Sequence, residues 1–124
     1  MTKREALIGA FGAGTLMRCR SSLAKAAQPS TAVKFDMPAN ACDCQTHIFG
    51  GPRQFPYWPG RAYTPEMALP EEMAALHRAL YIDRVVIVTP SVYGTDNSAT
   101  LFGMKARGPN ACGVAVIDQK TRDS

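Results

Sequence analysis

Asp43, Gln45 and His47 stand two residues apart within Ala41-Cys42-Asp43-Cys44-Gln45-Thr46-His47-Ile48-Phe49. In a β-strand, residues at that spacing share a face. The alternation therefore sends a carboxylate, an amide and an imidazole one way, and Cys42 and Cys44 the other. Three such groups on a buried strand are costly unless a ligand, a metal or polar neighbours satisfy them. His47 comes last, just before Gly50-Gly51-Pro52 stops the strand. Imidazole at a strand end has the chemistry of a proton carrier or a ligand, and equally of a hydrogen-bonded structural residue.

The elements that must position these groups are legible downstream. A long loop carries Pro52, Pro56, Pro59 and Pro65 with Tyr57, Trp58 and Tyr63 between them; loops of that length are often functional. Pro70 suits a first helical turn, and Glu71 and Glu72 suit its positive end. Met73, Leu76, Ala79 and Leu80 then recur at helical spacing, and the helix is expected to end near Tyr81. Because His77 lies between these core positions, it is assigned a surface or packing role rather than catalysis. Arg84-Val85-Val86-Ile87-Val88-Thr89 is a β-branched run suited to a strand buried on both faces. Pro90 to Asn97 forms a turn-rich loop in which Thr95, Asp96 or Asn97 is available as an N-cap. A weaker helix, interrupted by Gly103, runs to about Ala106, and Ala111 to Asp118 forms a third strand. The order is β-α-β-α-β, which points to a parallel sheet. With only three strands, its edges are expected to be exposed, and the chain reads as a truncated piece. A small, complete open-sheet domain is the alternative.

Composition narrows the classes of partner. The chain has 124 residues, of which 46% are hydrophobic and 19% charged, so it suits one small globular domain. The formal charge of +4 is confined to residues 1–27, where Lys3, Arg4, Arg18, Arg20 and Lys25 face Glu5 alone. The rest is balanced and offers no basic stripe for a phosphate backbone, which argues against nucleic acid. Residues 1–27 have the layout of an export signal. Lys3-Arg4 precede an apolar run from Ala6 to Met17, and Ala24 and Ala26 supply an A-x-A site. Thr2-Lys3-Arg4-Glu5-Ala6-Leu7 resembles a degenerate twin-arginine motif. The run is too short to be a stable membrane anchor. The expected location is periplasmic or exported if this leader functions, and cytoplasmic otherwise. Residues 28–40 read as a linker. Apart from Cys19 in the leader, Cys42, Cys44 and Cys112 are odd in number and lack zinc-site spacing, so buried free thiols are expected.

Asp43-Cys44-Gln45-Thr46-His47-Ile48-Phe49-Gly50 resembles the D-x-H-x-H first strand of the amidohydrolase superfamily, in particular the branch of TIM-barrel hydrolases that includes dicarboxylate lactonases. The likeness runs on through Phe55-Pro56-Tyr57, Arg61-Ala62-Tyr63-Thr64-Pro65, Leu76-His77-Arg78-Ala79-Leu80, the segment Val85 to Asn97, and Gly113 to Asp118. It covers about residues 41–118. It implies an α/β chain forming the N-terminal β-α-β-α-β portion of a (β/α)₈ barrel, truncated after the third strand, with residues 41–124 as that portion. In such barrels chemistry lies at the C-terminal ends of the strands.

The resemblance further implies substrate contacts from Gln45, His47, Tyr63 and Ser91. His47 matches the second histidine of the family strand, and Gln45 replaces the first. Because glutamine is a poor ligand for Zn²⁺, a metal-independent site is favoured; a divalent metal such as Zn²⁺, if bound, would use His47. No catalytic residue is expected in this chain, because the family's general base lies on later strands, beyond Ser124. Asp118, at the end of the third strand, matches no family base and suits a helix N-cap. The implied activity is hydrolysis of a carboxylated lactone or related cyclic ester by activated water, with a small carboxylated molecule as partner. The alternatives are a metal-dependent amide or ester hydrolase or decarboxylase, and a non-catalytic βαβαβ remnant that binds a small acid or another chain.

Overall fold

A computed structural model describes residues 26–119. Apart from Ala26 and Ala27, the expected export leader lies outside them. Residues 28–40 form neither helix nor strand. Strand β1 (Cys42–Thr46) is followed by helix α1 (Pro70–Ala79), strand β2 (Arg84–Val88), helix α2 (Ser98–Arg107) and strand β3 (Ala111–Val114), with single 3₁₀ turns at Ser91–Tyr93 and Gly108–Asn110. The three strands pair in parallel in the order β1-β2-β3, as the strand–helix alternation predicts. No described helix is long and apolar enough to cross a membrane.

Helix α1 begins as Pro70 dictates, and Glu72 Oε2 accepts the backbone N–H of Leu69 at 2.9 Å. One orphan donor at the helix start is thereby satisfied. Its buried side chains are Pro70, Met73 and His77, while Ala79 is exposed. The apolar face is thus rotated from the expected Met73-Leu76-Ala79-Leu80 stripe, and it passes through the histidine. The helix ends where expected: Ile82 N–H reaches back to His77 O at 2.9 Å, and Tyr81 takes a φ of 58°.

Val85 and Ile87 are fully buried on the helix-covered face with Ile48 and Met73. Gly103 does not interrupt α2, which runs unbroken from Ser98 to Arg107. A Cβ at position 103 would lie 2.5 Å from Ile48 Cγ1 and 3.1 Å from Ile87 Cδ1. Glycine there lets the helix close onto β1 and β2, which offsets its poor helix propensity.

Two strand expectations are corrected. β3 stops at Val114 rather than Asp118. Beyond it, Val116 is bonded through both its N–H and its C=O to the side chain of Asn97, so a side chain takes the place of a strand partner. β1 also does not alternate cleanly. Asp43 pairs with Val85 and Thr46 with Ile87, three steps along one strand against two along the other, which marks a bulge. Asp43 therefore shares the helix-covered face with Val85, and its Oδ2 lies 3.2 Å from His77 Nε2. The expected common face of Asp43, Gln45 and His47 does not form.

The described cysteines are free but not buried: Cys42 is half-buried, and Cys44 and Cys112 are exposed. Cys112 pairs with Val86, and Val114 with Val88, on the sheet face opposite Val85 and Ile87. No described helix packs over that second face.

Candidate functional site at the strand ends

The long loop after β1 is closed at its base by an antiparallel bridge, in which Phe49 and Ala68 exchange N–H to O=C bonds of 3.0 and 2.9 Å. The loop then folds onto the segment after β2. Phe55 is buried with Val92, Tyr93 and Ala99. Trp58 N–H donates to Val92 O at 2.8 Å, and Gly50 N–H donates to Tyr93 Oη at 3.0 Å. Burial pushes the Tyr93 phenol up to about 12, so it serves as a neutral wall group and acceptor.

Docking of the two loops leaves a cavity of about 880 Å³ beyond the C-terminal ends of β2 and β3. Its walls include Tyr57, Trp58, Thr89, Ser91, Tyr93 and Asp118. One rim is fixed by a buried polar chain. Thr100 and Thr89 hydroxyls lie 2.7 Å apart, and Thr89 Oγ1 donates to Asn97 Oδ1 at 2.7 Å. Asn97 then accepts Val116 N–H at 2.9 Å and donates to Val116 O at 3.0 Å. This chain ties the β2 end to the segment leading to Asp118. Asp96 accepts the Ser98 backbone N–H at 2.9 Å and also its hydroxyl. These bonds to the Ser98 hydroxyl and backbone hold the Asp96 carboxyl below its ordinary range. Asp96 thus takes the capping role, while Asn97, at the N-cap position, makes no side-chain cap bond.

Of the four substrate contacts implied by resemblance, Ser91 lines this cavity, at the first residue of the 3₁₀ turn. Gln45 is exposed in the β1 bulge, and its backbone N–H donates to Asp43 Oδ1 at 3.1 Å. His47 is half-buried just past β1, with Nδ1 2.8 Å from Val88 O. A carbonyl only accepts, so Nδ1 carries the proton and Nε2 is the nitrogen left for a ligand. Tyr63 is exposed on the long loop. Gln45, His47 and Tyr63 are not among the walls around Ser91. Trp58, by contrast, lines the cavity, and Asn97 holds two lining residues, Thr89 and Val116, together. The sequence reading placed Trp58 in a long loop of functional type and Asn97 in the turn-rich loop as an N-cap candidate, without assigning either a place at the site.

The described residues do not by themselves fit a metal centre. No three His, Cys, Asp or Glu side chains among them gather closely enough to hold an ion. The first strand offers one free imidazole nitrogen and the weakly ligating amide of Gln45.

The chain belongs to the amidohydrolase family: residues 42–124 match the family model described as Amidohydrolase. It is similar to a 2-pyrone-4,6-dicarboxylate hydrolase of Comamonas testosteroni, 37% identical over 73% of this chain and 30% of that protein. It is also 36% identical to a 4-sulfomuconolactone hydrolase of Rhizobium radiobacter, over 68% of this chain and 28% of the relative. Among solved structures, a "probable 2-pyrone-4,6-dicarboxylic acid hydrolase" of Acinetobacter baumannii with citric acid bound superposes with a TM-score of 0.62 at 25% identity, covering 67% of this chain and 31% of that one. An apo protein of Agrobacterium tumefaciens gives the same TM-score at 32% identity, over 69% of this chain and 31% of that structure. The chain therefore spans about 30% of the length of the first of these relatives.

Proposed function

We propose that these three strands are the opening part of a (β/α)₈ barrel hydrolase that opens a carboxylated lactone. The observation that carries this reading is the cavity at the C-terminal ends of β2 and β3 with Ser91 in its wall, in a chain that belongs to a family with lactone-hydrolase members. Barrel enzymes place their chemistry at that end. The uncovered sheet face supports a larger sheet, because parallel sheets are normally covered on both sides; Val114, on that face, is 49% exposed here.

In this reading the Ser91 hydroxyl donates to a carboxylate or lactone oxygen, and His47 Nε2, Gln45 and Tyr63 make further contacts to substrate. Water adds to the lactone carbonyl, the acyl carbon–oxygen bond breaks, the freed ring oxygen takes up the proton removed from water, and the ring-opened carboxylate leaves. The base that takes the proton from water is assigned to later strands of the barrel. No step is assigned to a metal.

The test is a chimera in which residues 42–118 replace the matching segment of the Comamonas testosteroni relative. Loss of lactone absorbance with 2-pyrone-4,6-dicarboxylate is the expected result, together with a higher KM in the Ser91→Ala form. A folded chimera that leaves the lactone intact would overturn the reading.

A further inference from the structure

Trp58 is held more firmly than its exposure suggests. Its side chain lies in the cavity wall and the residue is 51% exposed, yet its backbone is fixed at both ends. The N–H donates to Val92 O at 2.8 Å, and the C=O accepts Arg61 N–H at 3.2 Å and Arg61 Nη1 at 3.3 Å. The indole packs against two glycines. A Cβ at Gly60 would lie 2.5 Å from Trp58 Cη2, and one at Gly94 would lie 3.1 Å from Cγ. Gly94 also has a φ of 60°, a conformation glycine adopts without strain. The ring is therefore seated close against bare backbone, and its exposed half belongs to the wall of the cavity that holds Ser91. Leaving so large an apolar ring half in water forgoes burial, and an open planar surface of this kind suits another flat ring.

Polar groups around the same wall orient such a ring, with Arg61 set behind the lining. The Arg61 guanidinium sits 5.4 Å from the centroid of Tyr57, another wall residue, and its Nε donates to Thr64 Oγ1 at 3.0 Å. Asp96 and Asp118 lie elsewhere on the lining, and the Asp96 charge is engaged by Ser98 at the start of α2. An anionic ring stacked on Trp58 is favoured with its carboxylate toward Ser91 and away from the two aspartates.

We propose that Trp58 is a specificity-determining residue whose indole stacks on the flat ring of a carboxylated substrate and selects planar over puckered rings. This deepens the lactone reading and rests on it for the identity of the substrate. The stack itself is separable, because it needs no lactone bond.

Trp58 is the only tryptophan in the chain, so its emission reports on this contact alone. The full chain is titrated with 2-pyrone-4,6-dicarboxylate, with isophthalate as a planar dicarboxylate lacking the lactone, and with cyclohexane dicarboxylate as a puckered one. Binding is measured by equilibrium dialysis alongside fluorescence. The two planar acids are expected to alter Trp58 emission and to bind about tenfold tighter than the puckered acid, the order of an aromatic stacking contribution. Trp58→Leu is expected to abolish that preference and Trp58→Phe to keep most of it. Equal binding of planar and puckered acids, binding without a change in emission, or no binding at all would each overturn the proposal. Isophthalate stacking in a chain whose chimera opens no lactone would sink the hydrolase reading and leave the stack standing.

Discussion

His77 Nε2 lies 3.2 Å from Asp43 Oδ2, joining α1 to β1 across the core. The imidazole is 1% exposed, the Asp43 side chain is 31% exposed, and His77 Nδ1 is buried without a hydrogen-bond partner. Asp43→Ala would strip the imidazole of its hydrogen bond inside the core. A loss of about 1–3 kcal/mol is expected, the cost of an unsatisfied buried polar group, read from the urea midpoint. His77→Leu in the same background is expected to recover part of that loss, because the two changes remove one shared contact.

Gly103 tests the packing of α2. Alanine there gains about 1 kcal/mol of helix propensity, but its Cβ would meet Ile48 at 2.5 Å. Overpacking of this kind costs about 1–3 kcal/mol, so Gly103→Ala is expected to lower the thermal midpoint. Ile48→Val, which removes one methyl group, is expected to restore part of it in the double variant.

Asn97 separates donor from acceptor. Its Oδ1 receives Val116 N–H and its Nδ2 gives to Val116 O. Asn97→Ala is expected to free the Val116 amide to exchange about tenfold faster or more, the loss of at least about 1.4 kcal/mol of local protection. Asn97→Asp keeps the acceptor and is expected to hold that amide while weakening the carbonyl side. Hydrogen exchange at Val116 distinguishes the two.

Asp96 sets an acid-side dependence. Its carboxyl is lowered from an ordinary value of 3.8 by the bonds from Ser98. A lowered folded-state value means that its contribution is complete well above 3.8 and is lost as pH falls through the lowered value. Denaturant midpoints of the parent and Asp96→Asn are therefore expected to differ at neutral pH and to converge in strong acid. Ser98→Ala is expected to weaken the dependence without abolishing it, since the backbone N–H bond remains.

Local pattern was enough where one residue type dominated an element. The β-branched run gave β2, Pro70 with its glutamates gave α1, and the strand–helix rhythm gave the parallel sheet. It failed where long-range partners decided. The β1 bulge leaves no mark in Cys42 to Thr46, and it turns Asp43 toward a histidine in the next helix. β3 is shorter than its apolar run because Asn97 captures Val116. Gly103 reads as a breaker in isolation and becomes a contact point only when Ile48 is beside it. Ser91 was found at the cavity through resemblance, whereas Trp58 needed the docking of two loops, and Asn97 the return of Val116 beside Thr89, to show their places.

The bridge between Phe49 and Ala68 makes the long loop a closed unit. With both ends of the long loop clamped at one point, residues 50–67 form a cassette that is pinned again at Phe55 and Trp58 to the segment after β2. Most of the aromatic wall sits in that cassette, and Ser91 sits outside it. In the proposed reading, Trp58 and Ser91 therefore lie on separate stretches of sequence that meet only at the cavity.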